Sequence, residues 1–315
     1  MSDPCSIDGV LLQWGDRLFY PGNRIVRPRS EPRFRLPAPH ERAKAIRQSI
    51  EATVRRAPQV MVKVTGGGRG MKAIAAHFRY ISKNGRLDIE DDQGNVARGK
   101  SVVRELTDDW RFGGALIDDE TARREAFNII LSMPRGTDPL IVQRAAREFA
   151  QTEFADHKYV MVLHEHQANP HVHLSVRAES KHGRRLNPRK ADLHRWREVF
   201  AERLRAWGVD AEATRQATRG ASRNYPALWQ QKAAQDGRLL KPRPTQRSGA
   251  AAAASRQSAA TAWVRIAEAL AGSAESRDRA LAASIARFVP DVAEPTRDAG
   301  KVRPAEPPRV VDRGR

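Results

Sequence analysis

One cysteine, Cys5, stands in 315 residues. It can form no internal disulfide and cannot supply the ligands of a Cys-rich zinc module, so both scaffolds are excluded. Such usage fits a reducing compartment, and a cytoplasmic location is the expectation. Long apolar runs are missing too: nothing approaches the roughly 18 residues of a membrane span. The opening stretch MSDPCSIDGVLLQWGD has no basic region ahead of its short apolar patch. Neither membrane insertion nor a secretory leader is expected. Acid is scarce relative to base, with 37 Asp+Glu against 56 Lys+Arg and a net charge of +19. That surplus seeks a polyanion, nucleic acid first and an acidic membrane surface second. Aromatic residues make up only 6% of the chain, and four of them are tyrosines.

The charge is spread along the chain: 11 basic and 6 acidic residues in 1–60, 31 and 23 in 61–240, 14 and 8 in 241–315. Three segments are expected. Residues 1–57 read as a flexible basic arm, because the stretch 20–40 alternates Pro and Arg with too little apolar content to offset the entropy of ordering it. Residues 58–220 form the folded domain. Residues 221–315 read as a low-complexity linker followed by two short amphipathic helices (TAWVRIAEALA and RALAASIARF) and a tail, EPPRVVDRGR.

Within the folded segment, strand-like runs at 59–65, 126–133, 158–164 and 170–177 alternate with helical patterns at 71–84, 101–110, 139–154 and 191–208. The last helix runs into Gly208, where a left-handed residue ends a helix. The runs 158–164 and 170–177 are five residues apart, which suits an antiparallel hairpin and is too short for a parallel crossover. The fold class is therefore α+β, an at least partly antiparallel sheet with a layer of helices on one face as the simplest arrangement.

Four of the nine histidines fall within ten residues, LHEHQANPHVHLSV. Residues two apart on a strand face the same side, so His171 and His173 project together, and the hairpin returns His164 to them. Three converging imidazoles make a metal site with open coordination positions, the form catalysis requires. The bland alternative is a surface strand with alternating histidines or a structural metal. His166 is either a group that orients a ligand or a loop histidine.

A metal beside basic residues points to phosphodiester chemistry, which needs a nucleophile, water or a side chain. Tyr80 sits in HFRYISKNGRL on the first predicted helix, whose apolar stripe is Ile74, Phe78 and Ile81. Tyr80 falls away from that stripe, so the core does not require it. Arg79, Lys83 and Arg86 flank it, and cations favour a phenolate and attract phosphate. A surface tyrosine with no such role is the alternative. Upstream, TGGGRGMK joins a strand to this helix and is either a phosphate-approaching turn or a plain one; it lacks the G-K-[ST] of a P-loop. Downstream of the histidines, Arg177, Lys181, Arg184, Arg185, Arg189, Lys190, Arg195 and Arg197 crowd a stretch that reads as a groove for a nucleic-acid backbone.

The order HFRYISKNGRL, NIILSMPRGTD, LHEHQANPHVHLSV resembles the HUH endonucleases called relaxases, in the plasmid-mobilisation branch that includes the T-DNA border nuclease. The likeness covers about 58–220. It implies a five-stranded antiparallel sheet with flanking helices and a divalent metal, Mg2+ or Mn2+, held by His164, His171 and His173. It also implies that Tyr80 cleaves one DNA strand at a transfer origin and keeps it as a 5′-phosphotyrosyl adduct. Implied partners are single-stranded DNA at that origin, accessory nicking proteins, and a coupling protein or type IV secretion channel through which the protein is exported with its DNA. Two departures stand out. The family commonly has His-x-Asp where this chain has His164-Glu165-His166, leaving Glu165 or His166 as the group that orients the first ligand or relays a proton. It also has His where NIILSMP carries Asn128.

Two other readings come from other residues. In a rolling-circle replication initiator of the same class the tyrosine follows the histidines, which selects Tyr225. A non-catalytic origin-binding protein would use the histidines for a structural metal only.

Overall fold

A computed structural model of the chain describes residues 6–19, 38–165, 169–221, 230, 233–234, 236–238 and 249–293. The chain divides into two compact units, each treated by itself.

The first unit, Arg55–Ala213, carries the sheet. Its elements are β1 (Met61–Gly66), α4 (Met71–Ile81), β2 (Ile89–Asp91), β3 (Val96–Ala97), α5 (Lys100–Phe112), β4 (Ala126–Ser132), α6 (Pro139–Glu153), β5 (Tyr159–His164), β6 (His171–Arg177) and α7 (Lys190–Ala206). The strand order is β1-β4-β6-β5-β2-β3, and every pairing within it is antiparallel. Six strands replace the expected five. The two strands absent from the four strand-like runs are β2 and β3, a pair closed by the Asp91 carboxylate, which accepts from the backbone N–H of Gln93 and Asn95. Two- and three-residue strands leave no alternation long enough to read from sequence.

Helices cover both faces, where one layer was expected. On one side Phe127, Ile129 and Leu131 of β4 and Val172, Leu174 and Val176 of β6 pack with Val142 and Phe149 of α6 and with Trp196 and Phe200 of α7. On the other, Ala126, Val160 and Val162 pack with Ile74, Phe78 and Ile81 of α4 and with Val103 and Trp110 of α5. Phe78 meets Trp110 edge to face at 4.9 Å between ring centroids, pinning α4 to α5. Each such fully buried large side chain stabilises the fold by about 1.5–3 kcal/mol. Helix starts and stops follow local chemistry. Asp138 caps α6 by accepting from Leu140 N at 2.8 Å, with Pro139 in the first turn. Past α7, Gly208 has φ +77° and Val209 N donates back to Leu204 O. The ends of the unit are tied together where Val60 N donates to Glu212 O and Glu212 N to Pro58 O.

The second unit holds the flanks. Helices α1 (Ile7–Val10) and α2 (Asp16–Phe19) are joined by a π-helical turn, Leu11–Gly15. With α3 (Pro39–Val54), α8 (Ala250–Ala271) and α9 (Ser276–Ala293) they form a helical cluster. Its core includes Leu11, Leu18, Ile46, Ile50, Trp263 and Phe288. Trp263 Nε1 donates to Thr218 O at 2.7 Å, and Arg47 bridges Asp8 and the buried Asp278. This differs from the sequence expectation in two places. The described parts of 1–57 include three helices instead of a flexible arm. The alanine run taken for linker starts α8, as the residue with the strongest helix propensity should where a partner face exists to bury it. The Pro/Arg stretch at 20–37 and the tail beyond 293 lie outside the described residues.

Candidate active site

The hairpin β5–β6 pairs His164 directly with His171, and Val162 with His173. Val162 belongs to the core under α4 and α5, so the histidines occupy that face of the sheet. Their ring centroids are 5.1, 4.4 and 5.1 Å apart, and one nitrogen from each lies within 4.8 Å of the others. All three are buried. The structure thus brings together the triad expected from the sequence.

Two of the rings are oriented by backbone carbonyls. His164 Nε2 bonds Ile81 O at 2.6 Å, and His171 Nδ1 bonds Asn169 O at 2.9 Å. A carbonyl only accepts, so these nitrogens carry the protons, leaving the lone pairs on His164 Nδ1 and His171 Nε2. Burial pushes His173 down to about 3, helped by the neighbouring His164, His171 and His77. A neutral imidazole is the form a metal binds. The donor set fits a divalent ion, with three imidazole nitrogens on one face and the remaining coordination left to water or substrate oxygen.

Helix α4 brings Tyr80 to the cluster. Ile74, Phe78 and Ile81 are buried, while Tyr80 is 71% exposed. Its ring stands edge-on to His173 at 6.4 Å between centroids. His77, one turn earlier, stacks on Tyr80 at 6.3 Å and meets His173 at 6.3 Å. Burial lowers His77 to about 4, and its Nε2 is buried with no hydrogen-bond partner. The sequence reading missed this fourth imidazole. The available signal was its position, three residues before the tyrosine and so on the same helix face.

Other residues fall out differently. Glu165 is exposed just past the end of β5, and His164 Nε2 is bonded to Ile81 O. His166 and Tyr225 lie outside the described residues. Asn128 Oδ1 accepts from Ser175 Oγ at 3.3 Å on the histidine face. Arg79, Lys83 and Arg86 are exposed beside the tyrosine, and Lys83 and Asn84 both adopt left-handed φ in the turn that ends α4. The glycines before α4 serve close packing. Gly70 has φ +94°, and a Cβ there would lie 2.2 Å from Asp119 O; at Gly67 it would lie 2.1 Å from Ala126 O. The first helical amides, Met71 N and Lys72 N, donate to Asp118 O and Asp119 O, so they are not offered to a phosphate.

The basic stretch after β6 leaves the sheet at its Arg177 end, where Arg177 pairs with Ala126, four residues beyond His173. Arg184, Arg189 and Lys190 are exposed. Arg185 is held inside the unit: it pairs with the buried Glu125 and with Glu179 and donates to Arg124 O. It lines a cleft of about 450 Å³ with Arg123, Arg124, Phe127, Val64 and Asn187. Phe127 and Val64 face the α6/α7 side, so this cleft is on the opposite side of the sheet from the triad.

A histidine triad that could hold a metal ion lies on an antiparallel hairpin, with an exposed tyrosine on a packed helix beside it. Comparison with known proteins shows what this domain resembles. Residues 80–209 match the relaxase profile described as MobA/VirD2-like, nuclease domain, and this domain is relaxase-like. Two T-DNA border endonucleases VirD2 are similar over 182 residues. The one from Rhizobium radiobacter is 25% identical, covering 51% of this chain and 43% of its own. The one from Agrobacterium fabrum is 24% identical, covering 51% and 41%. The chain therefore spans less than half the length of these curated relatives. No helix among the described residues is long and apolar enough to cross a membrane.

Proposed function

We propose that this protein nicks and rejoins one strand of DNA at a transfer origin, with Tyr80 as nucleophile and His164, His171 and His173 as ligands of a divalent metal. The observation that carries this reading is the 6.4 Å edge-on approach of the exposed Tyr80 ring to His173. It sets a phenol beside the one cluster of three metal-ligating side chains found among the described residues. Bound there, a divalent ion would polarise the scissile phosphate and offset its added charge. An all-imidazole donor set suits a transition ion such as Mn2+ better than Mg2+, which prefers oxygen ligands.

In the proposed step the Tyr80 oxygen forms a bond to phosphorus and the bond to the 3′ oxygen breaks. The phenolic proton passes to water, and the departing oxygen takes up a proton to become a 3′-hydroxyl. DNA remains on the protein through its 5′-phosphate. One phosphodiester replaces another, so the step is nearly balanced and the strand can be resealed without ATP. Arg79, Lys83 and Arg86 beside the tyrosine, and Arg184, Arg189 and Lys190 after β6, are the proposed backbone contacts. Arg185 instead supports the fold through Glu125. Conjugative transfer with accessory nicking proteins, a coupling protein and a type IV secretion channel is the setting this activity fits, with cleavage in the cytoplasm.

The test is a covalent-adduct gel with single-stranded oligonucleotides drawn from the DNA flanking the protein's own gene. Wild type should give a slow band with a divalent metal. Tyr80→Phe should abolish it while DNA affinity stays within about threefold, since only the attacking oxygen is lost. An adduct that persists in Tyr80→Phe and vanishes in Tyr225→Phe would move the chemistry to the replication-initiator arrangement. Binding with no adduct in any variant would leave an origin-binding protein.

A further inference from the structure

Helix α4 points three groups at the site: His77, Tyr80 and the Ile81 carbonyl. Roles for the last two follow from their contacts. His77 has none so far, yet its Nε2 is buried without a partner. A buried polar atom left unpaired costs about 1–3 kcal/mol, and in a native protein it calls for an explanation, a catalytic role or a bound water or ion among them. The ring lies 6.3 Å between centroids from both Tyr80 and His173, which are themselves 6.4 Å apart, so the three rings form a triangle. Any phosphate attacked by Tyr80 while held near the triad must lie beside both of those residues. That is where His77 is.

We infer that His77 is a further catalytic residue, whose Nε2–H hydrogen-bonds a non-bridging oxygen of the phosphodiester that Tyr80 attacks. This rests on the nicking function proposed above. Tyr80 is exposed and stacks on the imidazole, so turning the phenol toward the phosphate uncovers the ring. The hydrogen bond takes up part of the charge that develops on the phosphate oxygens, and His77 exchanges no proton in the step. Of the three α4 groups, His77 then contacts the phosphate, Tyr80 attacks it and Ile81 orients a metal ligand.

The experiment measures single-turnover cleavage of an oligonucleotide spanning the nick site mapped with wild type, in Mn2+. The probe carries an unmodified, Rp- or Sp-phosphorothioate linkage at the scissile position. His77→Phe keeps a flat ring against Tyr80 and His173 and should slow cleavage roughly 10- to 100-fold, as losing one hydrogen bond to a charged group does. Mn2+ affinity should stay within about twofold. His77→Gln, whose amide N–H reaches near the Nε2 position, should regain about half of the loss on a logarithmic scale. Sulfur in one of the two positions should slow wild type and have little further effect in His77→Phe. Cleavage by His77→Phe within about twofold of wild type overturns the inference, as does a Gln variant no better than Phe. A fall in Mn2+ affinity that tracks the rate would make His77 a metal-site residue instead. If wild type itself forms no adduct, the nicking function fails first.

Discussion

His164 donates from Nε2 to the backbone carbonyl of Ile81 at 2.6 Å, one residue past Tyr80. The helix carrying the proposed nucleophile and the strand carrying the first ligand are therefore linked by a hydrogen bond that also selects the ligand's tautomer. Replacing His164 should do two things at once. His164→Asn is expected to lose metal affinity by at least about tenfold and to lower stability by about 1–3 kcal/mol, because Ile81 O loses its buried partner. Thermal denaturation with and without Mn2+ checks both: wild type should gain stability from metal and the variant should not. A variant with an unchanged metal-dependent shift would contradict the ligand role.

Removal of metal by excess chelator should stop cleavage while leaving DNA bound. His171→Ala and His173→Ala should each weaken Mn2+ binding by about 10- to 100-fold or more, the range seen even for partners of metal ligands. Calorimetric titration of the metal reads this directly. Full activity in chelator would remove the metal from the reaction.

The cations after β6 separate into two kinds. Replacing Arg184, Arg189 and Lys190 together should reduce the slope of log affinity against log salt by about 2, at roughly 0.7 per phosphate on single strands. Arg185→Ala should leave that slope unchanged and cost about 1–3 kcal/mol, since Glu125, only 4% exposed, keeps Arg123 as its remaining ion-pair partner. Salt titrations and denaturant melts distinguish the two outcomes.

Residues 55–213 hold both cores that flank the sheet, so this fragment should fold and form the covalent adduct by itself. Deleting 1–54 alone should behave worse than deleting both flanks, because it strips α1, α2 and α3 from the cluster that includes Trp263, Ile266 and Ile285 and exposes an apolar face. Circular dichroism and light scattering compare the two truncations.

Glu212 supplies the pH dependence. Burial raises its carboxyl to about 7, against a lesser lowering by the Ala213 N–H, and its Oε2 has no hydrogen-bond partner. An acid whose pKa is higher folded than unfolded favours the fold below its unfolded value near 4.5 and loses that contribution as pH rises through about 7. The wild-type melting temperature should therefore fall between pH 5 and 8. Glu212→Gln should flatten that decline. Parallel slopes in the two proteins would show that another group is responsible.

The sequence by itself determined the α+β class, four of the six strands, the four helices of the sheet-bearing unit and the histidine triad. Each is written locally: a continuous apolar run at 159–163, alternation at 171–177, a three-to-four residue stripe through Ile74, Phe78 and Ile81, and a five-residue gap that allows only a hairpin. Tertiary structure decided what depends on residues far apart in the chain. The short β2–β3 pair exists because β5 offers an edge. The alanine run of α8 is ordered because α1–α3 supply a face for Trp263. Arg185, one basic residue among many in the sequence, is claimed by Glu125 sixty positions earlier. The partners of the site were hidden for the same reason: Ile81 O is a backbone atom 83 residues from His164, and no side-chain pattern announces it. His77 was visible as a letter, but its place beside both Tyr80 and His173 arises only when α4 packs across the β5–β6 hairpin.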